Sequence, residues 1–211
     1  MPGYFSIVIQ IKKDNKYNDL ISNLTDVLIS NGFIYDRPDY DCGDNSLSDV
    51  IEYNNAKLKD DFELGYDEHF SHDFRQIYWK FRSFSEVRQF YCNEKDMDWF
   101  ESHIIIPEHD FINYNKSANG HPAFEPQAIT ALKSLAEALW GLSFIETIQT
   151  ELELTDGATT LSGLESGECP CAFPFTIIRT EYMNEKHKHI LRNITSIVRN
   201  RLLLERYKCR T

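Results

Sequence analysis

The densest run of metal-ligating groups in the chain is Asp67-Glu68-His69-Phe70-Ser71-His72-Asp73. Carboxylate and imidazole groups this close together suit zinc or a similar ion, and a metal-activated water there would support hydrolysis. A helix would bring Glu68 and His72, or His69 and Asp73, to one face; a strand would align Asp67, His69 and Asp73. No apolar period chooses between these geometries, and the run does not match the H-E-x-x-H pattern. His69, His72, Asp67 and Asp73 are the ligand set for a metal-dependent hydrolase, weighed against an ordinary exposed acidic turn. The remaining histidines, including His103, are scattered, and the favoured reading has no cofactor.

Other chemical motifs fail on spacing. An EF-hand beginning at Asp39 needs Gly at its sixth position and Glu at its twelfth, where the chain has Asp44 and Val50. Cys169-Pro170-Cys171 is one residue short of C-x-x-C. In Gly163-Leu164-Glu165-Ser166-Gly167 the serine is displaced by one from the G-x-S-x-G elbow, so a flexible loop is expected instead. Neither a phosphate loop nor a G-x-G-x-x-G fingerprint is present. These observations make an enzyme the less favoured class.

Charge is the stronger signal. Residues 35–73 hold twelve carboxylates and three cations, a net of -9, whereas residues 179–211 hold nine cations and three carboxylates, a net of +6, within a chain of net -11. Tyr35, Tyr40, Tyr53, Phe62, Tyr66, Phe70 and Phe74 interleave with the acidic groups. Tyrosine supplies contact area at low entropy cost, and surrounding carboxylates steer and pair with Lys and Arg. The expected contact set is Asp39, Tyr40, Asp41, Asp44, Tyr53 and Tyr66, and the expected partner a basic protein. The competing reading is a solvated face whose aromatics pack inward. In size, acidity and lack of catalytic motifs the chain resembles proteins that neutralise nucleic-acid-attacking toxins, a likeness of composition that carries over no residues. Nucleic acid is disfavoured as a partner by the net charge. Pairing of the acidic segment with the basic C-terminus of a second copy would give a self-associating, homo-oligomeric structural protein.

The elements that must position these groups follow from periodicity. Phe5, Ile7, Ile9 and Ile11 alternate with Ser6, Val8, Gln10 and Lys12 as in a strand with one strongly apolar face; Tyr17, Leu20, Ile21, Leu24, Val27 and Leu28 repeat as in a helix stopped by Gly32; a short strand begins at Phe33. This is a βαβ-like start. A loop from Asp36 to Asp49 leads to a weak segment from Ser48 to Leu58. Ile77, Trp79 and Phe81 alternate as in a strand, Phe84 to Tyr91 have helical spacing, and a further strand lies near His103 to Ile106. A helix opened by Pro126 and stopped by Gly141, then a second from Ser143 to Thr155, make an αα-hairpin. A strand from Phe173 to Arg179 precedes a long amphipathic helix from about Asn184 to Tyr207. Lys188, Arg192, Arg199 and Arg206 form its basic ridge, and Arg201 projects into its apolar arc. The expected fold is one α+β domain spanning residues 1–211, with a mixed or antiparallel sheet and helices mainly on one face. No stretch is long and apolar enough for a membrane span, Met1 to Lys13 lacks the features of a secretory signal, and five cysteines fit a reducing cytoplasm.

Overall fold

The computed structural model describes residues 3–13, 19–38, 45–62, 73–94, 97–113, 122–153 and 157–182 in full, and residues 194–198 and 201–205 as backbone. Its strands are β1 (Tyr4–Lys12), β2 (Ile34–Pro38), β3 (Ile77–Lys80), β4 (Val87–Asn93), β5 (Trp99–Pro107), β6 (Ile145–Leu152), β7 (Phe175–Arg179), β8 (Ile194–Val198) and β9 (Arg201–Glu205). Its helices are α1 (Leu20–Ser30), α2 (Leu47–Lys59), α3 (Pro126–Leu139) and α4 (Leu161–Ser166). The strands form one sheet in the order β2-β3-β4-β5-β1-β6-β7-β9-β8, every neighbouring pair antiparallel. The mixed α and β class and the antiparallel sheet are as expected.

β1 lies near the centre, between β5 and β6. Its alternation divides the molecule: Phe5, Ile7, Ile9 and Ile11, all fully buried, face a large core with the apolar sides of α1, α2 and α3. Each such side chain contributes roughly 1.5–3 kcal/mol of burial. Gly32, at φ +92, supplies the left-handed residue that ends α1 and turns the chain into β2. The strand-helix-strand start is therefore present, but β2 does not join β1; it goes to the far edge, and the β3-β4-β5 meander fills the gap. The weak segment is a full helix, α2, held by a capping box between Ser46 and Asp49.

Four expectations are corrected. Phe84 to Tyr91 do not form a helix: Val87, Gln89, Tyr91 and Asn93 are buried at a period of two in β4, and the helical spacing arose from reading Phe90, on the opposite face, with them. The αα-hairpin is a helix followed by a strand, because Ser143 to Thr155 contains β6, which pairs with β1 along seven positions. The expected loop around Gly163 contains α4, capped by the Thr160 hydroxyl and closed by Gly167 at φ 96. Within the expected C-terminal helix, Ile194–Val198 and Arg201–Glu205 are strands, the first in keeping with its β-branched content and the second paired with it and with β7. Lys188, Arg192, Arg199 and Arg206 of the basic ridge lie outside the described residues. No helix among the described residues is long and apolar enough to cross a membrane.

Candidate functional site

The second face of the sheet is polar where it is buried, and α4 packs on this side through Leu161 and Leu164 against Trp99, Ile178 and Tyr182. Register places Gln10 opposite Glu101 on β5 and Thr147 on β6, and Glu101 opposite Cys92 on β4. His103 follows Glu101 by two residues on β5 and therefore shares its face. The tertiary pairing of four strands thus gathers groups that are far apart in sequence.

These groups form a hydrogen-bonded line. Gln149 Nε2 donates to Gln10 Oε1 at 3.0 Å and to the Thr159 carbonyl at 2.7 Å, while its Oε1 accepts from the Thr159 and Cys171 amides at 3.0 and 2.8 Å. Thr147 Oγ1 donates to Gln10 Oε1 at 2.6 Å. Gln10 Nε2 in turn donates to Glu101 Oε1 at 2.9 Å. The other oxygen of Glu101 lies 3.0 Å from His103 Nε2, and the imidazole stacks on Phe90 with ring centroids 4.7 Å apart. The two side chains of the pair are 13% and 20% exposed, His103 and Glu101 respectively, so water screens the interaction poorly.

Burial opposes a charge on His103, but its contacts with Cys92 and Glu101 outweigh that and push its pKa up to about 10. Burial likewise favours the neutral form of Glu101, yet the His103 hydrogen bond and charge, with help from Gln10, hold its carboxyl below the usual range. The pair is an imidazolium and a carboxylate at neutral pH. Glu151, on the same face of β6, is raised by its own burial and by the charge of Glu101, against the opposing pull of His103 and the Ala158 amide. A carboxyl with a raised native pKa loses stability as pH climbs from its ordinary value through the native one. Glu151→Gln is therefore expected to raise stability at pH 7, by up to about 1 kcal/mol at this partly solvated position, and to leave it unchanged at acid pH, as read by thermal melts.

Of the residues singled out from sequence, Asp39, Tyr40, Asp41, Asp44, Tyr66, Asp67, His69 and His72 lie outside the described residues. Asp73 is half-buried at the end of the approach to β3. Tyr53 is half-buried on α2, with the Arg75 guanidinium 4.0 Å from its ring centroid and the Lys57 ammonium 5.6 Å away, so it is already covered by cations of the same chain. Among the described residues no group of three or more His, Cys, Asp or Glu is arranged to hold a metal ion. Sequence reasoning missed Glu101, His103, Cys92 and Glu151. The period of two in β5 could have paired the first two; the third needed the β4-β5 register. No protein-family model, curated protein or solved structure matches the chain.

Proposed function

We propose that the protein is a non-enzymatic interaction module that binds a basic protein through its acidic segment, in the manner of a toxin neutraliser. The observation that carries this reading is the charge of residues 35–73, net -9, on a stretch that starts at the outermost strand of the sheet. β2 begins with Ile34, 64% exposed, and runs directly into the acidic residues; α2, which follows them, keeps Glu52 and Asp60 exposed. An exposed apolar residue beside carboxylates is the composition of an interface that gains contact area from one and steering from the others.

Part of the acid is already engaged within the chain. Asp36 pairs with Lys80, Asp61 lies 3.0 Å from Lys13 Nζ, and Asp49 serves the cap of α2. Within this reading, recognition of the partner is assigned to Asp39, Asp41 and Asp44, three carboxylates within six residues. Changing these three to Lys is expected to slow association with the basic partner about 10- to 100-fold and to flatten its dependence on salt, measured by stopped-flow mixing across ionic strengths. An unchanged rate would remove this segment from the interface. Truncation of Tyr53 is expected to cost helix packing as well as binding, because Arg75 and Lys57 rest on its ring.

A further inference from the structure

Cys92 sits on the half-buried second face, opposite Glu101 in register and diagonal to His103. His103 is fixed from two sides, by the Glu101 carboxylate at 3.0 Å and by the flat stack of Phe90. A carboxylate bonded to an imidazole, with a thiol at the diagonal position of the next strand, is the constellation of a cysteine nucleophile, recognised by geometry rather than by chain order. We propose that Cys92, with His103 and Glu101, is a reactive thiol site that takes small hydroperoxides.

The attacking species in such chemistry is the thiolate. Its sulfur attacks one peroxide oxygen, an S–O bond forms as the O–O bond breaks, and the departing hydroxide or alkoxide takes up the proton the thiol released. Sulfur is oxidised by two electrons to the sulfenic acid and the peroxide is reduced to water or alcohol. The limited exposure of His103 and Glu101 and the covering Phe90 ring admit a small oxidant rather than a bulky substrate. Glu101 and His103 are positioning residues in this account, and the sulfur alone is the reacting atom.

The exposed Cys169 provides an internal reference on the same chain. The intact protein, treated with hydrogen peroxide and trapped with dimedone, is expected to label at Cys92 at least about 10-fold faster than at Cys169, read by peptide mass spectrometry. In His103→Gln the advantage is expected to vanish while labelling of Cys169 stays the same. Equal or slower labelling of Cys92 in the unmodified protein overturns the proposal, and needs no variant to fold. A folded His103→Gln variant, checked by circular dichroism, that keeps the fast rate overturns it too.

Discussion

Replacing Glu101 by leucine is expected to lower the unfolding free energy by about 3–5 kcal/mol near neutral pH, the range for removing one member of a buried ion pair. The cost has two parts. His103 loses the carboxylate that sustains its charge at 3.0 Å, and Gln10 Nε2 loses one of its two acceptors, at 2.9 Å, keeping the Thr159 carbonyl. The pH dependence separates this ion pair from simple loss of packing. A histidine with a native pKa of about 10 contributes stability that is complete below its ordinary value of 6.5 and is lost as pH rises through the native one. The lowered carboxyl of Glu101 contributes stability present above its ordinary value of 4.5 and lost as pH falls. The gap between unmodified and variant protein is therefore widest between those two ordinary values and shrinks toward pH 10. Urea denaturation at about pH 5.5 and about pH 9.5 reads it directly; a gap independent of pH would mean that the pair is not charged.

The second large effect is expected at Gln149. Its carboxamide accepts from the Thr159 and Cys171 amides and donates to the Thr159 carbonyl and Gln10, which pins the stretch between β6 and β7 against the sheet. Gln149→Leu keeps the bulk and removes every one of these bonds. The Thr159 carbonyl retains Gln10 Nε2 at 3.2 Å, but the Thr159 and Cys171 amides lose this acceptor. At about 1–3 kcal/mol for each buried group left unpaired, the loss is expected to reach about 2–5 kcal/mol. It should fall unevenly: hydrogen exchange is expected to accelerate across residues 157–172 well before the β1-β5 pairing is affected. Uniform acceleration over the whole sheet would contradict a local pin.

The parts of the fold legible in sequence are those where one face is apolar and the other polar and wet. α1 and α3 obey that rule, and Leu20 to Leu28 and Ile129 to Leu139 mark them plainly; β1 is legible from the apolar alternation of Phe5, Ile7, Ile9 and Ile11 alone, since Ser6, Val8 and Gln10 on its other face are buried too. β6 breaks it. Thr147, Gln149 and Thr150 are fully buried beside Ile145 and Ile148, so hydropathy alternates weakly and the spacing of the isoleucines imitates a helix. Such polar residues are tolerated inside because Gln10, Thr159, Cys171 and Phe175 satisfy them, and these partners come from distant parts of the chain. β4 misleads for a related reason, since Phe90 faces His103 while Val87 and Tyr91 face the main core. The Glu101–His103 pair has only period two to announce it, and its link to Cys92 exists in the register alone. The acidic segment was fully visible as charge, because charge density needs no fold to be counted.

The most direct measurement for the proposed function is site-directed photo-crosslinking in the native cell, with a photoreactive residue at Tyr40 and a control at Gln127 on α3. Binding through the acidic segment predicts a defined adduct at Tyr40 with a strongly basic protein, weakened by added salt and missing from the Gln127 control. An equal adduct from both positions, a partner of neutral or acidic charge, or no adduct at Tyr40 would contradict it.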